Sequence, residues 1–263
     1  MKSCFSHMTS FVLVGLILIA SAGQAGAVET SSEVTQGNLD PKLAWPSPVD
    51  DMETYSLTLL ELLEYKASRD GSLNWDLVAW RGGDIHRLWV KTEGAHSFSA
   101  SNGEADLQLL YGKLVTSFFD AQIGARLEQS WGDRKASRLT GVLGVQGISL
   151  YLFELEAAVF FADAGQLASR ITASKDFLFS QRAILQARLE SDASLKRSEA
   201  FETGSGINNL ELGLRLRYEI KREIAPYVGV NWRNLFGETA DFRIRSGQET
   251  SEWNFVTGLR AWY

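Results

Sequence analysis

Cysteine occurs once in this chain, at Cys4, and methionine only at Met1, Met8 and Met52. Without a second thiol, a disulfide scaffold, paired-cysteine redox chemistry and a thiolate metal cluster are all excluded. Histidine is equally scarce, at His7, His86 and His96, and three of the four prolines (Pro41, Pro46, Pro48) crowd into one short stretch. Beyond residue 20 no run approaches the roughly 20 apolar residues that a membrane-crossing helix takes. A basic block is missing too. The formal net charge is −6, with 26 Lys and Arg against 32 Asp and Glu, which gives nucleic-acid binding no electrostatic footing.

What is present begins with an export pattern. Lys2 is the only charged residue before Glu29; an apolar run covers 11–20, and Ala25-Gly26-Ala27 follows. A basic start, a short apolar centre and small residues at the exit describe a secretory signal over 1–27. Cys4 falls inside it, without the apolar and small residues that precede a lipidated cysteine. Residues 28–53 are polar and lack a sustained period, as expected of a short unstructured periplasmic tail ahead of a domain over 54–263.

From Tyr55 onward the hydropathy alternates with period two in segments of about ten residues, the pattern of barrel strands. The segments run 55–66, 72–81, 84–93, 104–115, 118–129, 138–148, 150–161, 168–177, 181–192, 208–219, 224–235 and 252–263. Connections after even-numbered segments are tight, at Gly82-Gly83, Thr116-Ser117, Ser149, 178–180 and 220–223. Those after odd-numbered segments are longer and polar, notably 94–103, 130–137, 193–207 and 236–251. Outer-membrane barrels sort their loops in this way, short in the periplasm and long outside. Phe242 and Ile244 alternate with charges over 241–245 and read as an added hairpin inside the last loop.

Two faces follow from the alternation. One carries Phe119, Ile123, Leu127, Leu139, Leu143, Phe153, Val159, Leu185, Leu212, Leu216, Phe255 and Leu259, without a charge. The other carries Asp120, Arg126, Glu128, Arg138, Glu154, Glu156, Arg182, Arg188, Glu190, Glu211, Arg215, Arg217 and Arg260. A soluble sandwich with a dry core would also alternate. Three features choose the barrel instead: the aromatic last strand, the loop order, and aromatics at segment ends (Tyr111, Tyr151, Phe161, Tyr218, Trp232, Trp253, Tyr263), where interfacial girdles place them. The expected fold is therefore all-β, an antiparallel transmembrane barrel of about twelve strands with an acid- and arginine-lined interior. Phe255, Leu259 and Tyr263 form the terminal signature expected for the barrel-assembly machinery, and outer-membrane lipid is the expected surrounding. The interior is either knitted shut by Arg–Glu pairs or left as a narrow wet path whose carboxylates attract cations.

Catalytic constellations are thin. Ser97 and Ser99 beside His96 are the local candidates for a hydrolase triad, on what reads as the first long loop. Glu154 and Glu156 share a strand face simply because they are two apart. Gly204-Ser205-Gly206 follows no strand and opens no helix, so it is a flexible loop. His86 and His96 fall on opposite sides of the expected membrane and cannot share a metal ion. No enzymatic role and no organic cofactor are expected.

Five stretches go further than a generic barrel pattern: DDMETYSLTLLELLEYK (50–66), GGDIHRLWVKTEG (82–94), LGVQGISLYLFELEAAVF (143–160), GSGINNLELGLRLRYEIKREIAPYVGVNW (204–232) and FVTGLRAWY (255–263). In them the chain resembles the copper resistance protein B family of outer-membrane proteins over about 50–263. The resemblance implies a component of bacterial copper resistance that binds copper or helps export it at the outer membrane, beside a periplasmic multicopper oxidase or copper carrier. It also implies a Met- and His-rich stretch between signal and barrel, since thioether and imidazole groups suit copper. Here 28–51 contains neither residue, so the metal-ligand candidates reduce to Met52, His86 and His96. The rival expectation is a general small-solute diffusion channel that has kept the scaffold and lost the metal role.

Overall fold

A computed structural model describes residues 53–263, except 69, 70, 100, 133, 134, 163, 164, 200, 202, 246 and 248. The signal at 1–27, almost all of the tail and Met52 lie outside the described residues. Residues Thr54–Tyr263 form a compact unit of their own.

That unit is a closed antiparallel barrel. Its strands are β1 (Tyr55–Ala67), β2 (Ser72–Gly82), β3 (His86–Ser97), β4 (Gly103–Thr116), β5 (Phe119–Trp131), β6 (Ala136–Ser149), β7 (Phe153–Ala162), β8 (Gln166–Leu178), β9 (Ala183–Ser194), β10 (Gly206–Tyr218), β11 (Ile224–Leu235) and β12 (Ser251–Trp262). Each strand pairs with its neighbours in sequence, and β1 pairs with β12 to close the cylinder. Closure satisfies every strand edge, which an open sheet with an apolar outer face could not do.

The outward positions form an apolar belt. Leu109, Ile123, Leu139, Ile171, Leu214 and Val228 all lie exposed on it, a continuous apolar surface larger than soluble monomers show. Trp253 near the start of β12 and Tyr263 just past its end bracket it. Ten residues on a strand tilted by about 40° rise about 25 Å, the height of a lipid-facing band.

Several expectations need correction. Strands run further at the long-loop end than the hydropathy indicated: 94–97 belong to β3, 130–131 to β5, and 136–137 to β6. Above the belt an outward side chain no longer has to be apolar, so the alternation fades while the hydrogen-bonded ladder continues. Loop asymmetry is consequently concentrated in 195–205 and 236–250. The stretch 241–245 is not a hairpin; it lies in a helix, α1 (Gly237–Arg245). Alternation over four residues cannot tell a strand from one helical turn, and α1 is pinned to the neighbouring loop. Thr239 Oγ1 accepts the Gly204 N–H at 2.8 Å, while Glu238 Oε2 accepts the Ser205 N–H at 3.0 Å and its hydroxyl at 3.1 Å. The turn expected at Ser149 is instead a 3-10 turn over Leu150–Leu152, with Tyr151 at φ 62° and Leu152 at φ 61°. At Gly82 a side chain is impossible, because a Cβ would stand 2.1 Å from the His86 carbonyl oxygen.

Candidate functional site

The interior is built in rows, because directly paired residues on successive antiparallel strands share a face. One row is apolar: Trp80↔Trp89↔Leu110↔Gly124↔Val142↔Phe160↔Ala168, from β2 to β8. Trp89, Leu110, Val142 and Phe160 are buried in it, with Trp80 and Ala168 packed alongside. Part of the barrel is therefore filled by hydrocarbon and indole rather than by charge.

The next-but-one row towards the long loops is acidic. Asp76, Glu93, Asp106 and Glu128 stand directly opposite one another on β2 to β5, and Arg138 follows on β6. Like charges set opposite each other repel, so the row depends on cations reaching it. Arg126, beside it on β5, binds Asp106 at 2.5 Å and Glu128 at 3.1 Å, and Arg138 binds Glu128 at 2.5 Å. From the far wall, Arg170 on β8 reaches Glu93 at 2.5 Å, and Arg188 on β9 reaches Asp76 at 3.2 Å and Glu61 at 3.6 Å. Both arginines also hold Glu190, and Arg170 holds Asp192 at 2.8 Å.

Apart from Glu61, these residues line a cavity of ≈ 410 Å³ together with Phe201, Thr203, Thr239 and Arg243 from the long loops. Two residues nearer the tight turns, Lys91 gives the interior another crossing. Its ammonium donates to Glu156 at 2.6 Å and to Gln146 at 2.8 Å, and Gln122 donates to the same Gln146 oxygen at 3.1 Å. On the other side of the barrel, Lys66 binds Glu211 at 3.2 Å, Arg217 binds Asp176, and Arg215 is bound to Glu64 at 2.7 Å. Arginine suits these bridges because its planar fork meets a carboxylate with two donors.

The sequence-derived interior residues separate as follows. Arg126, Glu128, Arg138, Glu156, Arg188, Glu190, Glu211, Arg215 and Arg217 are joined through the pairs above. Asp120 takes Arg87 at 3.0 Å, and Glu154 accepts the Ser174 hydroxyl at 3.1 Å. Arg260 is inward on β12, with Nε unpartnered. Arg182 is a correction: it is exposed in the turn before β9, because that strand starts two residues later than its alternation indicated. Three of the four row carboxylates, Asp76, Glu93 and Asp106, escaped the sequence reading, together with Arg170, which binds Glu93, and with Glu64 and Lys91 elsewhere in the interior. In β2 to β4 the inward positions mix Asp76, Lys91 and Glu93 with Trp80, Trp89 and Leu110, so neither face looks purely polar. In β1 a bulge between Leu60 and Leu63 shifts the phase, turning Glu64 and Lys66 inward after Leu57 and Leu59. Each strand read alone from its charged end does show the phase.

The metal-ligand candidates are not brought together. His96 is a second correction, since it belongs to β3 rather than to a loop. It lies outward and ten residues from His86, about 33 Å along the strand. His86 Nδ1 is 2.5 Å from the Tyr111 hydroxyl, with the two rings stacked. His96 Nδ1 accepts the Trp131 indole N–H at 3.4 Å, and its ring lies parallel to Trp131 and edge-on to Phe98. Both imidazoles are thus members of the two aromatic girdles. Among the described residues no three His, Cys, Asp or Glu side chains converge as a metal-holding group.

Comparison with known proteins identifies the family of this chain. Residues 54–263 match the family described as copper resistance protein B precursor (CopB). Copper resistance protein B of Escherichia coli is 38% identical over 220 residues, covering 82% of this chain and 72% of that protein. The copper resistance protein B homolog of Pseudomonas syringae pv. tomato is 38% identical over 216 residues, with the same coverage. Among solved structures the KdgM porin is similar at 12% identity and a TM-score of 0.47, over 79% of this chain and 98% of that one. By that match and those relatives, the chain belongs to the copper resistance protein B family.

Proposed function

We propose that the barrel lies in the bacterial outer membrane, tight turns towards the periplasm, and supports copper resistance by taking Cu(II) as a substrate along its acidic interior. The observation that carries this reading is the row Asp76–Glu93–Asp106–Glu128, four carboxylates at one level in a member of a copper-resistance family. Residues 53–263 contain no Cys or Met. Cu(I) favours thiolate and thioether ligands, whereas carboxylate and amide oxygens suit a harder ion; the donor set therefore favours the divalent state. With each row carboxylate already held by an arginine, an ion meets exchangeable partners rather than a tight cage, which suits passage better than storage. Hydrocarbon lipid, the barrel-assembly machinery and a periplasmic oxidase or carrier supplying the ion complete the arrangement. No catalytic step is assigned to the barrel.

The test is complementation. In a strain deleted for this gene, the pair Glu93→Gln and Asp106→Asn is expected to lower copper tolerance while leaving barrel abundance unchanged. Full tolerance with the altered row would overturn the reading. A general diffusion channel is less favoured, because Arg170, Arg188 and Lys91 cross the interior and the apolar row fills one wall. Planar-bilayer recording separates the two: a steady, copper-indifferent conductance belongs to the channel.

A further inference from the structure

The outward positions of the twelve strands carry almost no charge. Among the described residues the exceptions are Arg81 on β2, Lys113 on β4 and Lys175 on β8, all cationic and all close to the tight turns. None is a carboxylate, although the chain as a whole is net acidic. An ammonium facing hydrocarbon is costly, so a cation on this surface persists where phosphate headgroups can meet it.

Two of the three cations share a place. His86 stands directly opposite Lys113 across β3 and β4, and Arg81 stands opposite Leu88, one diagonal step from His86. Arg81, His86 and Lys113 are all exposed, and Arg81 makes further contacts of its own. The imidazole is oriented by Tyr111, whose hydroxyl lies 2.5 Å from Nδ1. With that hydroxyl donating, the neutral ring carries its proton on Nε2, a second outward donor beside the Lys113 ammonium. Exposed apolar side chains surround the group, with Leu88 and Val115 among them.

We propose that Arg81, His86 and Lys113 bind the phosphate of an anionic glycerophospholipid whose acyl chains lie over the adjoining apolar belt. This rests on the membrane placement given above. The site faces the tight-turn end, which that placement puts in the phospholipid leaflet. Lipid A, the anionic lipid of the opposite leaflet, would meet the long-loop end, where the described strands present no outward cation.

The full-length protein reconstituted in nanodiscs of mixed phosphatidylglycerol and phosphatidylcholine, then released into mild detergent, can be weighed with its retained lipid by native mass spectrometry. Phosphatidylglycerol is expected to be retained in preference to phosphatidylcholine. Lys113→Gln should weaken that retention roughly fivefold, the effect of one cation near a headgroup, and Lys113→Arg should restore it. His86→Gln should weaken it less, and Lys175→Gln, four strands away and with its ammonium already taken by the Tyr151 carbonyl at 2.8 Å, should leave it unchanged. Equal retention of both lipids, or an equal loss from Lys175→Gln, overturns the site. Failure of the protein to enter the bilayer overturns the membrane placement, and the site with it.

Discussion

Glu64 of β1 and Arg215 of β10 are joined across two intervening strands, with Nε to Oε2 at 2.7 Å and Nη2 to Oε1 at 3.3 Å. Glu64 has no solvent exposure and Arg215 only 4%. Glycines clear the path: a Cβ at Gly213 would lie 2.2 Å from Arg215 Nη1, and one at Gly229 would lie 3.2 Å from its Cγ. Breaking one side of a buried pair strands the other charge, at a cost of about 3–5 kcal/mol. Glu64→Ala is therefore expected to lower barrel stability by about that amount, read by urea unfolding in lipid vesicles. Glu64→Leu with Arg215→Met should recover most of the loss. An unchanged unfolding midpoint in the single variant would count against the pair.

Arg170 and Arg188 reach the acidic row from the opposite wall. Replacing both with alanine removes two crossings and uncovers Glu93 and Asp76. Bilayer conductance is expected to rise and to favour cations over anions, because the exposed carboxylates focus cations in a narrow path. A current as small as that of the unaltered protein would place the obstruction elsewhere.

Phe160 supports the acidic row from below. The Arg126 guanidinium sits over its ring at 4.4 Å, and the ring packs into the apolar row. Phe160→Ala should cost about 3–5 kcal/mol, as large-to-small changes of buried aromatics do. Thermal unfolding in detergent will show it, and Phe160→Leu should lose markedly less.

Glu238 offers a pH response outside the membrane-spanning strands. Hydrogen bonds from the Ser205 backbone N–H and hydroxyl hold its carboxyl below the usual value of 4.5. A depressed folded pKa contributes stability above the unfolded value and loses it as pH falls through the folded one. The contact between α1 and the 195–205 loop should thus persist at pH 5 to 7 and release only below about 4.5. Hydrogen exchange of the Ser205 amide against pH will report the release, and Glu238→Gln should abolish the acid step.

Legibility in the sequence followed how each strand divides its two environments. β5, β9, β10 and β12 separate apolar from charged side chains position by position, so their facing could be read directly. β1 could not, because the Leu60–Leu63 bulge sits in a run of leucines that hides a change of phase. β2, β3 and β4 place Trp80, Trp89 and Leu110 inside, which blurs the polarity contrast just where the acidic row is assembled. That row is also a cross-strand property. Asp76 and Glu128 are remote in sequence, and only the register brings them to one level. Helix α1 was missed for a different reason: its fixing contacts come from Gly204 and Ser205, in another loop.

The pairing of β1 with β12 also has a consequence for biogenesis. The first strand to emerge from the ribosome finds its second neighbour only when the last one has been made. Until then both carry an unsatisfied row of amide and carbonyl groups beside an oily flank, a combination that invites aggregation. Synthesis and closure must be separated in time, with the nascent polypeptide shielded in between, and deleting the final strand should yield insoluble material rather than a smaller cylinder.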